Sequence, residues 1–145
     1  MAQSNKESDD QPRHYRRSIR MKGYDYSEPV AYFITICTHN NQTLFGKILE
    51  GAMQLNDFGK IVQSTWEDLV NHVSGIELGP FMIMPNHIHG IIQIIDSDSS
   101  VRVGPKPTTT PAPTQQTSLP EIVRQLKTFS SKPINQLRGT PGHHV

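Results

Sequence analysis

The strongest periodic signal in the chain runs through residues 56–73, NDFGKIVQSTWEDLVNHV. Phe58, Ile61, Val62, Trp66, Leu69, Val70 and Val73 recur at steps of three and four, with Thr65 filling one gap, so they fall on one helical stripe. Asn56 is placed to cap the first turn, and Asp57 suits the positive end of the helix dipole. Trp66 belongs to the stripe and reads as core. A second stripe, Leu119, Ile122, Val123, Leu126 and Phe129, runs through SLPEIVRQLKTFSSK at 118–132. Ser118 and Glu121 have capping-box spacing, and Pro120 lies in the first turn, where a missing N–H costs little. Arg124, Lys127 and Lys132 lie off that stripe.

Elsewhere the pattern is that of strands. VAYFITICT at 30–38 is β-branched and aromatic, and apolar on both faces for part of its length, which predicts a central strand. HNNQ at 39–42 supplies turn chemistry. A short hairpin is predicted around 45–49 and 52–55, bending at Gly51. Residues 76–84 and 87–95 read as a strand pair joined tightly through Pro85 and Asn86. Residues 133–145 hold two prolines and two glycines and predict no closing element. The order strand, hairpin, helix, strand, strand, helix is that of an α+β fold, with helices on one face of an antiparallel sheet.

Two segments carry no such pattern. Residues 1–15 are polar and read as a disordered tail. Residues 96–118, DSDSSVRVGPKPTTTPAPTQQTS, are dominated by Pro, Thr and Ser and read as a flexible insertion within one domain spanning 16–145. The chain has 145 residues, 34% of them hydrophobic, and a formal net charge of +1, so bulk charge selects no class of partner. Distribution changes that picture. Arg13, Arg16, Arg17, Arg20 and Lys22 alternate with Tyr15, Tyr24 and Tyr26, either as a solvated arm or as one that contacts phosphates while tyrosines stack on bases. The single cysteine, Cys37, rules out an intramolecular disulfide and fits a reducing cytoplasm. Its apolar strand gives it a packing role. No stretch is apolar enough to span a bilayer and no secretory signal opens the chain, so a cytoplasmic protein with no membrane partner is expected.

The candidate chemistry sits in MPNHIHGII, residues 84–92. On a strand His87 and His89 share a face with Ile91, Gln93 and Ile95, while Ile88, Gly90, Ile92 and Ile94 form an apolar opposite face that should meet the helices. The two histidine Cα atoms are then about 7 Å apart, close enough for both rings to converge on one ion. Two ligands are fewer than the usual three or more, and two polar residues on the wet side of a strand would give the same spacing. His39, His143 and His144 are more remote candidates. Asp96 and Glu77 could serve a metal-dependent hydrolase, but no spacing singles them out. The chain has no GxSxG, CxxC, HExxH or phosphate-binding glycine loop.

His87-Ile88-His89 also resembles the His–hydrophobic–His signature of single-tyrosine HUH transposases, within FMIMPNHIHGIIQI. RRSIRMKGYDYSEPVAYFITICTHNNQTLFG, LNDFGKIVQSTWEDL and LPEIVRQLKTFSSKPINQLRGTPG are similar to that family's basic arm and first strand, its first helix, and its next helix and loop. The similarity runs from about Arg16 to Gly142 and is greatest to the branch associated with repetitive extragenic palindromes in bacteria. It implies a ferredoxin-like α+β domain that binds single-stranded DNA bearing a hairpin, and admits a homodimer. It implies Mg²⁺ or Mn²⁺ held by His87 and His89, with the scissile phosphate attacked by a tyrosine. Arg16, Arg17, Arg20, Lys22, Lys127 and Ser130 correspond to DNA-contacting positions. The family's nucleophilic tyrosine lies on a final helix, expected here beyond Val145, as is a third metal ligand. No catalytic residue is therefore assigned. The chain is expected to be inactive alone, the alternative being a non-catalytic DNA-binding module derived from a transposase.

Overall fold

The structure, a computed structural model, describes residues 20–95 and 117–145. The expected tail, Arg16, Arg17, Asp96 and the insertion as far as residue 116 lie outside the described residues.

Five strands and two helices form in the order expected. β1 (Ala31–Cys37), β4 (Ile76–Met84) and β5 (His87–Ile94) make an antiparallel sheet in the order β1-β5-β4. β2 (Gly46–Leu49) and β3 (Ala52–Leu55) form a separate hairpin. Its bend, Glu50-Gly51, has φ of 51° and 78°, the left-handed pair that a type I′ turn requires. α1 (Asp57–His72) begins where Asn56 Oδ1 accepts a hydrogen bond from the Gly59 N–H at 3.0 Å. α2 (Leu119–Arg138) follows β5. Without the β2–β3 hairpin the order is β-α-β-β-α, an α+β arrangement. A further strand is not among the described residues.

Both helices pack on one face of the sheet. Leu69, Ile92, Ile122, Leu126 and Ile134 are fully buried there, with Ile34, Ile88, Ile94, Val62 and Trp66 around them. The alternation on β5 is as expected: Ile88, Gly90, Ile92 and Ile94 are buried, and His87, His89 and Ile91 are half-buried on the other side. β4 keeps its own apolar side inward by a bulge between Leu78 and Phe81. One extra residue at Gly79-Pro80 re-phases the strand, so Phe81 and Ile83 face the core while Met82 and Met84 lie beside the histidines.

Three expectations are corrected. Among the described residues β1 lies at the edge of the sheet and β5 is the central strand. Half of β1's apolar run faces outward, and Phe33 is 69% exposed. α2 does not stop near residue 132 but continues through Pro133, because Ile134 and Asn135 are buried beyond it. It closes at Gly139 (φ 65°), where Gly139 N–H bonds Gln136 O at 3.2 Å and Thr140 N–H bonds Asn135 O at 3.0 Å, a Schellman pair. Ser118 caps α2 by position but makes no side-chain cap bond. Glu121 instead accepts from Arg124 Nε at 2.8 Å and Gln125 Nε2 at 3.0 Å.

Candidate functional site

The histidine pair is built by a two-residue turn and two strands. Met84 pairs with His87 across the β4–β5 hairpin, leaving Pro85 and Asn86 as the loop. The loop is tied down by the segment that follows β1. Thr38, itself buried, gives Asn86 O a hydrogen bond from its N–H at 2.9 Å and shares its hydroxyl proton between Gln42 O at 2.7 Å and Asn86 O at 3.0 Å, and the Phe45 N–H donates to Pro85 O at 3.0 Å. On the other side, β1 pairs Cys37 with His87 and Thr35 with His89.

Both imidazoles are held by their Nδ1 atoms. His87 Nδ1 lies 2.7 Å from Asn86 Oδ1, and the Asn86 amide is oriented by donation from its Nδ2 to Asn41 O at 3.4 Å. His89 Nδ1 lies 2.9 Å from Thr35 Oγ1, and its ring stacks on Phe33 with centroids 5.5 Å apart. The two Nε2 atoms are left facing each other at 3.0 Å. Two nitrogens at that separation, each about 2.1 Å from a shared divalent cation, subtend close to a right angle at it, as neighbouring ligands of an octahedral ion do. The pair therefore fits two positions of such a site; hard cations prefer oxygen, so water and phosphate oxygens suit the rest. Among the described residues, no group of three or more His, Cys, Asp or Glu side chains comes together to hold a metal ion.

Cys37 differs from its expected packing role. It is exposed, on the histidine side of β1 and directly across the ladder from His87. Glu77 pairs with Gln93, four residues along β5 from His89 and so about 13 Å away. His39 lies on the short turn after β1 and stacks on His144 at 5.4 Å, apart from the pair. Around the pair the sheet face is open and apolar, with Phe33 69% and Met82 60% exposed.

Beside Cys37 a cleft of about 370 Å³ opens between the end of β1, α2 and the last residues described. Lys127, Ser130, His39 and His144 line it over an apolar floor that includes Phe45 and Leu126. Two of the expected DNA-contacting residues, Lys127 and Ser130, are thus brought to one cleft. Arg20 and Lys22 are exposed at the opposite end of β1. Their segment is anchored there by Tyr26, whose hydroxyl accepts from the Met21 N–H at 2.8 Å and whose ring lies 6.1 Å from that of Tyr32. Tyr32 is in the core, on the helix-covered face, and Tyr24 packs on Tyr26 at 4.8 Å. The three described tyrosines therefore cluster at the Ala31 end of β1, while the histidine pair lies toward Cys37 on the other face. Thr35 and Asn86, which hold the imidazoles, were not foreseen: Thr35 is linked to His89 only by cross-strand register, and Asn86 had been read as turn chemistry alone.

No protein-family model matches the chain. Over 83 residues, 57% of its length, the chain is 49% identical to a Haemophilus influenzae protein described as uncharacterized. The match covers 46% of that relative, so the chain spans about half of its length. No helix among the described residues is long and apolar enough to cross a membrane.

Proposed function

We propose that this chain is a single-stranded DNA-binding domain of the single-tyrosine HUH transposase kind, acting in DNA transposition and recognising a palindromic hairpin. The observation that carries the proposal is the pair of convergent Nε2 atoms of His87 and His89, 3.0 Å apart on an open sheet face. A Mg²⁺ or Mn²⁺ ion held there would supply Lewis-acid polarisation of a DNA phosphate. His87 and His89 would hold that ion, and Phe33 would offer an exposed ring to an unpaired base. Lys127 and Ser130 would contact the backbone from the cleft, with Arg20 and Lys22 engaging phosphates at the far end of β1. Those two basic regions lie about 20 Å apart by the length of β1, a distance that a few nucleotides of single strand can bridge.

In the family that the sequence resembles, a tyrosine attacks the phosphate. The described tyrosines cluster away from the histidines, with Tyr32 under the helices, and this favours binding without cleavage by the chain alone. Fluorescence anisotropy with labelled single strands tests the proposal. A palindromic hairpin should bind more tightly than an unstructured strand of equal length, affinity should fall with salt, and Mn²⁺ should strengthen binding in a His87- and His89-dependent way. Equal affinity for both strands would refute hairpin recognition. A covalent protein–DNA adduct formed with Mn²⁺ would refute inactivity of the chain alone.

A further inference from the structure

We infer that Thr35 is a positioning residue that lets His89 exchange one tautomer for the other, so that the histidine pair can pass from a closed, hydrogen-bonded state to one open to a cation. The inference rests on the proposal that the pair holds a divalent ion. It follows from what each partner atom can do. Asn86 Oδ1 can only accept, so His87 carries its proton on Nδ1 and leaves Nε2 bare. Two bare nitrogens 3.0 Å apart would oppose their lone pairs, so in the metal-free protein His89 carries its proton on Nε2 and donates it to His87 Nε2. His89 Nδ1 then accepts from the Thr35 hydroxyl at 2.9 Å. For His89 to present a bare Nε2, its proton must instead sit on Nδ1. That places an N–H opposite Thr35 Oγ1, and the same hydroxyl, rotated, accepts it. The proton lost from Nε2 is regained at Nδ1 through solvent, so the ring stays neutral. A side chain that could only donate would stabilise the closed state alone. One that could only accept would leave the metal-free pair with opposed lone pairs. A hydroxyl serves both, and partners of this kind fix the orientation and basicity of metal-bound histidines.

Thr35 is exposed on β1, so valine, which has its shape and a high strand propensity, can replace it without disturbing the core. Calorimetric titration with Mn²⁺ would compare the wild type with Thr35→Val, Thr35→Ser and His89→Ala. Long-range ¹H–¹⁵N correlation spectra of the metal-free protein, with both rings neutral, would assign the tautomers. The spectra should place protons on His87 Nδ1 and His89 Nε2. A cation at Nε2 makes the Nδ1–H of His89 a stronger donor, so the bond to Thr35 Oγ1 is worth more in the open state than in the closed one. Thr35→Val should therefore weaken Mn²⁺ binding about tenfold at an unchanged melting temperature, while Thr35→Ser restores it. Wild-type Mn²⁺ affinity in Thr35→Val, or a proton on His89 Nδ1 in the metal-free protein, would overturn the inference and leave the metal proposal standing. Unaltered Mn²⁺ affinity in His89→Ala would overturn the metal proposal itself.

Discussion

Gly90 follows His89 on β5 and turns toward the helices. A Cβ placed there would lie 2.4 Å from Cη2 of Trp66, 2.9 Å from Cζ3 and 3.0 Å from Cζ2, where ordinary contact begins at 3.4 Å. The indole has little room to retreat, because its plane stacks on Phe81 at 4.3 Å and 7° and its residue is 4% exposed. Either the ring or the strand must move by about 1 Å, and overpacking of this kind costs about 1–3 kcal/mol. Replacing glycine in a strand returns about 0.5–1 kcal/mol of conformational entropy. Gly90→Ala should therefore destabilise the domain by up to about 2.5 kcal/mol, lowering its melting temperature by as much as several degrees. Urea denaturation followed by circular dichroism measures the loss. The double variant provides a sharper check. All three indole atoms that meet the new Cβ belong to the six-membered ring beyond the reach of a phenylalanine at position 66. Trp66→Phe alone opens a void, and Gly90→Ala added to it partly fills that void. The two changes together should cost less than their sum by about 1 kcal/mol. Additive losses, or a Gly90→Ala protein more stable than the wild type, would refute the packing account of this glycine.

Three further outcomes are expected. Phe33→Ala should leave the melting temperature nearly unchanged, because the ring is 69% exposed, yet weaken single-strand binding by about 1–3 kcal/mol in an anisotropy titration if a base stacks on it. Burial, aided by contact with Tyr24 and by the carboxylates of Glu28 and Asp25, pushes the Tyr32 phenol from 10.0 up to about 12. Its stabilising effect is therefore complete below pH 10 and lost as pH rises toward 12, and Tyr32→Phe should flatten the alkaline fall in melting temperature over that window. Hydrogen bonds from Arg124 and then Gln125 hold the Glu121 carboxyl near 2, below its ordinary 4.5. The difference in melting temperature between wild type and Glu121→Gln should be constant above pH 4.5 and shrink as pH falls toward 2.

Much of the fold was legible because its signals are local. The period of two across 87–95 separated the histidine face from the isoleucine face, and the three-and-four spacing from Phe58 to Val73 located α1 within a residue at each end. The misreadings arose where tertiary neighbours decide. An apolar run such as AYFITIC cannot reveal whether its second face is covered, and here Phe33 and Cys37 lie on an open one. A proline inside a helix costs about 3 kcal/mol locally, which argued for an end near residue 132. The burial of Ile134 and Asn135 and the closure at Gly139 outweigh that cost. Glu121 had the spacing to reach back to Ser118, yet the charged and bidentate partner Arg124 was available one turn ahead. The histidine pair itself was legible from its parity, but its Nδ1 partners were only partly so: Asn86 precedes His87, whereas Thr35 is set by the β1–β5 register.

Position and chemistry are coupled in this site. The turn that starts β5 is fixed by Thr38 and Phe45, the side chain of that turn holds His87, and the register fixed with β1 sets Thr35 against His89. One residue beyond His89, Gly90 admits the Trp66 ring that joins β5 to the core. A shift of the strand by one residue would exchange its two faces, burying the imidazoles and exposing Ile88 and Ile92. The same burial of isoleucines that stabilises the sheet thus keeps both imidazoles on the open side. The 3.0 Å separation of their Nε2 atoms then depends on two short side-chain contacts, one within the turn and one across the ladder. With a divalent ion held by the pair as proposed, substitutions in the core beneath β5 should alter stability and metal affinity together, whereas changes at Thr35, outside the core, should alter affinity alone.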